Sequence, residues 1–331
     1  MKTILRRQLA LHALAAAIGA AWACAPSAAN AQPSSPAIDY PNKPVRLIVG
    51  GGSELPARVV AAYLSTTWKQ QVNVEPLPSA GGVVAARTVK DAPADGYTLL
   101  NTTGAYLLNQ AARTPPPFVM SRDFVPVALL GTAPQIVVVP SSLPVKNIAE
   151  LVAYSKAHPN TVNCASAGVG GSSHLACEML RHYTKADVQH LPFRGVGPAL
   201  VDVSAGRAHV TYTAVAALGA IKEGRLRAIA VTGAKRLGAL PDVPTVTEQG
   251  FPQLTLITWY GIHAPARTPA AVVDLLNRAI DKAVKDPAVM QGLVNAGLEP
   301  ETMPVAAFSS FMAAQEESVT RLWRESGAKI D

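Results

Sequence analysis

The sequence predicts an α/β fold, on three observations. Runs of β-prone residues alternate with runs of helical period along most of the chain, the pattern of sheets flanked by helices. Several strand-like runs close in a glycine-rich or hydroxyl-rich turn just before a helix begins, which is where α/β sheets hold ligands. Of the 331 residues, the first 31 read as an export signal, and the remaining 300 are enough for a large core divided into two parts.

The signal has three features. Lys2, Arg6 and Arg7 form a basic start, Leu9 to Ala23 an apolar stretch, and Ala29-Asn30-Ala31 a small-x-small cleavage site before Gln32. This predicts cleavage after Ala31 and a periplasmic product. No later run approaches the roughly 18 apolar residues of a membrane span. The whole chain carries +7, three charges of it in the signal, so the mature part carries +4 with no lysine or arginine cluster. Nucleic-acid binding gets no support from that distribution.

Val45–Val49 reads as a buried strand, 55–70 as a helix and Val72–Val74 as a strand. A helix from Gly81-Gly82 to Lys90, a strand 97–102 and a helix 104–112 follow. Strands are expected at 125–130 and 135–139, then helix 147–157 and strand 162–165. Strand 188–191, helix 197–205, strand 208–212, helix 214–223 and strand 226–232 continue the alternation, which argues largely parallel sheets. Beyond a strand at 256–263 come helices 269–285, 287–296 and 304–326. The last carries an apolar stripe at Phe308, Phe311, Met312, Val319, Leu322 and Trp323, interrupted by Gln315, and is expected to pack back on the first part of the chain. Only Cys164 and Cys177 remain after the signal. A strand and the helix packed on it lie about 10 Å apart, beyond disulfide geometry, so two buried free thiols are expected.

Residues 162–176, V-N-C-A-S-A-G-V-G-G-S-S-H-L-A, hold the clearest functional pattern. A strand leads through Gly168, Gly170 and Gly171 into a helix whose apolar positions are Leu175, Met179 and Leu180. A helix start presents unpaired N–H groups and a partial positive charge. Glycines let the backbone approach a ligand closely. Together they describe a site for a carboxylate or phosphate. The same residues also fit an ordinary turn with Ser172 or Ser173 as N-cap. Gly50-Gly51-Gly52-Ser53 repeats the strand–glycine–helix plan, and Asn101-Thr102-Thr103-Gly104 and Tyr212-Thr213 end strands with hydroxyls. Two such crevices facing each other would enclose a small polar molecule with two acidic ends.

Enzyme motifs are missing: there is no G-x-S-x-G, P-loop or H-E-x-x-H, and G-V-G-G-S-S at 168–173 lacks the third glycine of a dinucleotide fingerprint. Neighbouring residues on a helix point about 100° apart, so Ser173 and His174 are poorly placed to share a proton. His174, Cys177 and Glu178 sit at i, i+3 and i+4, a spacing open to a metal, yet no further ligand is visible and capping and burial explain the same residues. No catalytic residue, metal or cofactor is expected.

In order and spacing, Y-P-N-K-P-V-R-L-I-V (40–49), A-D-G-Y-T-L-L (94–100), S-A-G-V-G-G-S-S-H-L (166–175), L-R-A-I-A-V-T (226–232), A-L-P-D-V-P-T-V (239–246) and W-Y-G-I-H-A-P (259–265) make a specific set. The chain resembles the Bug/TctC family, the extracytoplasmic solute receptors of tripartite tricarboxylate transport systems, from Tyr40 to its end. The resemblance implies a two-lobed periplasmic binding protein of type II-like, Venus-flytrap form, each lobe a mixed sheet flanked by helices. One lobe would be 40–137 plus 256–331 and the other 138–255. It implies a monomer that captures a small organic carboxylate and delivers it to membrane permease components. A ligand sensor for a membrane signalling partner and an exported hydrolase are the alternatives. Carried over, the ligand-binding positions are Gly51, Gly52, Ser53, Thr102, Thr103, Ser166, Ala167, Gly170, Gly171, Ser172, His174, Thr213 and Trp259. The chain departs from the family pattern in its first loop, shortened to V-G-G-G-S-E-L-P, at Gly171 where a threonine is usual, and at Thr213 where an aspartate is frequent. Without that aspartate a ligand lacking an amine is favoured.

Overall fold

Aliphatic runs become strands and amphipathic runs become helices nearly where their periods place them. The computed structural model describes residues 39–50, 52–77 and 82–326; the expected signal over 1–31 and the candidate Gly51 lie outside them. The first part of the chain forms β1 Val45–Val49, α1 Leu55–Trp68, β2 Val72–Pro76, α2 Val83–Lys90, β3 Thr98–Thr103, α3 Gly104–Ala111, α4 Met120–Asp123 and β4 Phe124–Pro134. Then come β5 Ile136–Pro140, α5 Ile148–Ala157, β6 Val162–Ser166, α6 Ser172–Thr184, β7 Val188–Pro192, α7 Val196–Ser204, β8 Val210–Thr213, α8 Leu218–Lys222 and β9 Leu226–Val231. The last third forms β10 Ile257–Pro265, α9 Ala270–Val284, α10 Pro287–Asn295, β11 Glu299–Pro300 and α11 Val305–Ser326. The helix expected at 214–223 is split into a 3-10 turn, Val215–Ala217, and the short α8.

The strands make two sheets. One has the order β11-β4-β10-β3-β1-β2 and the other β7-β6-β8-β5-β9. Strand β1 runs parallel to β2 and β3, and β6 parallel to β7 and β8. Strand β10 is antiparallel to β3 and β4, and β5 is antiparallel to β8 and β9. The sheets are therefore mixed rather than largely parallel. Parallel neighbours need a crossover helix, which the alternating segments supply. The chain, however, leaves the first sheet on β4 and enters the second on β5 with only Gln135 between them, so no crossover constrains that direction.

Side-chain alternation sorts the core into layers. Leu47, Val49, Leu99 and Ile262 face α1, α9 and α10 on the outside of the first sheet. Ile136, Val138, Ala165 and Val203 fill the corresponding side of the second sheet. The largest cluster runs between, from Ile48, Leu100 and Trp259 through Phe308 to Val137, Leu175 and Tyr212. The apolar stripe of α11 lies here, with Phe308, Met312, Val319, Leu322 and Trp323 buried. Gly261 makes room for it, since a Cβ there would lie 2.6 Å from the Phe308 ring. As expected the last helix packs on the first sheet, against β4 and α3, and it also reaches α6 of the second.

One expectation is overturned. Cys164 and Cys177 form a disulfide, with Cα atoms 5.8 Å apart. A separation of about 10 Å describes the axes of a strand and helix, whereas Cα atoms on their facing sides come closer, the helical one by about 2.3 Å and the strand one by its pleat. Cys177 faces the sheet, and Cys164 points from β6 toward α6, so their Cα atoms fall within the bridging range of about 4.4–6.8 Å.

Candidate functional site

The glycine loop after β6 consumes most of its own polar groups. The buried Ser166 hydroxyl lies 2.7 Å from His190 Nε2 and accepts from Gly168 N–H. Ala167 N–H donates to Ser173 Oγ at 2.9 Å, Gly170 N–H to His174 Nδ1 at 3.1 Å, and Gly171 N–H to the Gly168 carbonyl. Gly168 and Gly170 have φ of 143° and 76°, backbone that side chains disfavour. Helix α6 starts at Ser172 with Gly171 at its N-cap position, and no side chain caps it. Neither Ser172 nor Ser173 is the N-cap that an ordinary turn would make of one of them. Their hydroxyls turn to Gln135 and Ala167 instead, because both residues are already helical. By contrast, Asn147 and Asp286 cap α5 and α10 with their side chains. The first N–H groups of α6 thus keep the donor capacity of an anion site.

Two histidines brace this loop. His174 and His190 stack with ring centroids 3.8 Å apart, and Trp323 of α11 packs edge-on to His174. Because His174 Nδ1 accepts from Gly170, its proton sits on Nε2, 3.9 Å from Glu178 Oε1. Burial holds His174 below its ordinary pKa, with Glu178 opposing. Burial and then the adjacent His174 push His190 down to about 4. Both rings are neutral near pH 7. With Nδ1 committed to the backbone, His174 does not serve as a base for either serine. The His174–Cys177–Glu178 face offers no third metal ligand, since the Cys177 sulfur is in the disulfide. Among the described residues no group of three His, Cys, Asp or Glu side chains gathers to hold a metal.

The first glycine loop is arranged differently. Gly52, at φ 86°, sits against Thr103 and Tyr260, and a Cβ there would come within 2.9 Å of Thr103 Cγ2. The exposed Ser53 donates its N–H to Tyr260 Oη at 3.2 Å, and its hydroxyl accepts from Leu55 N–H. Glu54 pairs with Arg58 along α1. The Tyr106 ring packs against Gly82, where a Cβ would clash with it, and a Cβ at Gly50 would clash with that of Ala85.

Other expected positions serve the scaffold. Thr102 Oγ1 donates to the Gly261 carbonyl and lies 2.8 Å from His263 Nδ1, deep in the sheet. Thr103 caps α3 by accepting from Ala105 N–H. Thr213 is buried beside Ile136, its partner in the ladder between β8 and β5. Trp259, expected on a cleft wall, is 1 % exposed and packs edge-on to Phe311 in the core. Its neighbour Tyr260 faces the other side of β10, and it is Tyr260 that touches the first loop.

Sequence reasoning missed Tyr260, His190 and Gln135. Gln135 donates from Nε2 to Ser172 Oγ at 2.7 Å and to Thr258 Oγ1 at 3.3 Å. A lone glutamine between Pro134 and the apolar run I-V-V-V-P was the available signal. A separate cavity of about 460 Å³ opens at the opposite end of β10 from Thr258, lined by Met120, Phe124, His263, Met312 and Glu316.

Comparison with known proteins agrees with this geometry. The Tripartite tricarboxylate transporter family receptor model matches residues 56–327. BugT of Bordetella pertussis is 32% identical over 298 residues, covering 88% of this chain and 91% of that protein. A UPF0065 protein in the tcbD-tcbE intergenic region of Pseudomonas sp. strain P51 is 34% identical over 266 residues, covering 78% and 79%. A solved periplasmic transporter is 32% identical with TM-score 0.79, covering 88% of this chain and 100% of that one. A protein of R. palustris with adipate has TM-score 0.79 and 27% identity, covering 88% and 100%. MatC of Rhodopseudomonas palustris with bound malate has TM-score 0.75 and 28% identity, covering 86% and 99%. Two mixed sheets, a glycine loop opening an uncapped helix, and a family match across most of the chain agree: this protein belongs to the tripartite tricarboxylate transporter receptor family, the Bug/TctC solute-binding proteins.

Proposed function

We propose that this chain is a periplasmic receptor that captures a small organic carboxylate and delivers it to the membrane permease of a tripartite tricarboxylate-type transporter. The observation that carries the reading is the start of α6, where backbone N–H groups emerge beside Gly171 with no side-chain cap. A carboxylate completes such a helix start as an aspartate cap would. The similar proteins with adipate and with malate hold dicarboxylates, which supports an acid of that class here.

In this reading the chain is exported by residues 1–31 and acts as a monomer without catalysis. The lobes 40–134 plus 256–331 and 136–255, divided at Gln135 rather than after residue 137 because Ile136 and Val137 lie in β5, close over the ligand about the two crossings near Gln135 and Thr232–Leu256. These crossings are tied together: Thr232 N–H donates to the Gln135 carbonyl, Gln135 N–H to Thr232 Oγ1, and Thr232 Oγ1 to the Leu256 carbonyl. Ser172 and the α6 N–H groups hold one carboxylate, with Gly171 leaving room for it at the N-cap position, and Gly52 and Ser53 approach from the other lobe. Ser166, Ala167, Gly170 and His174 fix the loop, while Thr102, Thr103, Thr213 and Trp259 hold the frame behind it. Isothermal titration of the purified protein with succinate, malate, adipate and citrate tests the proposal, together with native mass spectrometry for a co-purified acid. Saturable binding of at least one acid is expected. No binding of any acid, and none co-purified, would overturn it.

A further inference from the structure

Gln135 occupies the point where the chain passes from the first sheet to the second. Its backbone is pinned there by both hydrogen bonds to Thr232, and the residue is only 5 % exposed. Its side chain reaches Ser172, the first residue of α6, and Thr258 of β10, so both amide hydrogens are engaged. Oε1 is buried and has no partner among the described residues. A buried amide oxygen left unpaired is costly, and native folds rarely keep one without a use.

We infer that Gln135 Oε1 is a subsite for a ligand hydroxyl beside the α6 carboxylate site, so that the receptor prefers a hydroxy-carboxylate to the same acid without the hydroxyl. The inference rests on the carboxylate reading above. It follows from the chemistry of the three groups that meet. A lone acceptor repels a second carboxylate oxygen and asks for a donor. An ammonium would bring three protons to a place where Gln135 Oε1 offers one acceptor. A hydroxyl brings one. Ser172 Oγ accepts from Gln135 and keeps its own proton to give to the carboxylate. Acid and hydroxyl on adjacent carbons of one ligand match two receptor groups that already touch each other.

The test is titration calorimetry on matched pairs, succinate against each enantiomer of malate and glutarate against each enantiomer of 2-hydroxyglutarate. The better-bound hydroxy acid is expected to bind about tenfold more tightly than its partner, as one buried hydrogen bond allows. Gln135→Met should bring that ratio to within about twofold, both acids of a pair being titrated against the same variant so that any loss common to the two cancels. Equal affinities in the wild-type protein, or a ratio that survives Gln135→Met, would overturn the inference. The wild-type arm needs no variant, so it decides the matter even if Gln135→Met fails to fold. Plain diacids that bind with no gain from the hydroxyl would leave the receptor reading standing and remove only this step. Failure of every acid to bind would remove both.

Discussion

At residues 50–54 and at residues 166–174 the chain makes the same move, from strand through glycines into helix, yet the two turns end with different donors. In the second loop Ser166, Ser173 and His174 turn inward and satisfy the loop's own N–H groups, leaving the start of α6 uncapped. In the first, a side chain from a distant strand comes to the loop: Tyr260 takes the Ser53 N–H, and Ser53 itself takes Leu55 N–H. The second loop is also stapled, because Cys164 and Cys177 bracket it between β6 and α6. A shared local pattern thus yields a rigid donor site where the polar side chains work for the loop, and a partly spent one where they work for the helix.

The largest expected effect comes from occupying the donor site covalently. Gly171→Asp places a carboxylate at the N-cap position of α6, where backbone is extended and the nearest obstacle is an ordinary contact. Carboxylate affinity should fall more than about 100-fold while the melting temperature holds or rises, since aspartate is a favoured cap. Gly170 is unsuitable for this purpose, because its φ of 76° would strain any side chain. Unchanged affinity in Gly171→Asp would move the anion away from α6.

Opening the staple comes next. Cys164→Ala with Cys177→Ala should cost about 3 kcal/mol of stability in urea unfolding, the loop-closure value for a bridge of this span. Affinity should weaken as well, because the loop that presents the donors loses its tether. A doubly substituted protein with full stability and full affinity would mean the bridge braces neither.

Acid should act on the same loop more than on the first. His190 is held near pKa 4 against an ordinary 6.5, and His174 is lowered in the same direction. A depressed histidine contributes stability that is full above 6.5. It is lost as pH falls toward the folded value, because the unfolded chain takes up the proton first. Unfolding free energy should therefore decline between pH 6.5 and about 4. His263, pushed down to about 3 by burial in the first sheet, adds to the slope. His190→Gln should flatten part of that decline; an unchanged slope would mean that the stacked pair does not set it.

The smallest effect is expected at the first loop. Tyr260→Phe removes the hydroxyl that holds Ser53 N–H and should cost about 1 kcal/mol of stability. It should change carboxylate affinity by less than about threefold. A loss above tenfold would raise the first loop to an equal partner.

Much of the frame was legible because it rests on local periods. The strand at 45–49, the helices at 55–68 and 270–284 and the stripe of α11 follow from residue spacing alone. The short α4 and the two-residue β11 carry too few residues to show a period. At the site, the glycine loop and the helix start could be read, since both lie within one run of sequence. The partners could not. Tyr260 reaches Ser53 across 207 residues and Gln135 reaches Ser172 across 37, and nothing local in either sequence encodes such a meeting. The disulfide is hidden from the sequence for a related reason: it depends on the distance between facing Cα atoms, not on that between elements.

The most direct test of where the carboxylate sits is amide NMR of the isotopically labelled protein during titration with malate or adipate. The account predicts that the largest downfield shifts of backbone N–H signals fall on Ser172, Ser173 and His174, with smaller changes at Ser53. Largest shifts at Ser53, or at the cavity around Met120 and Glu316 with α6 unmoved, would contradict it.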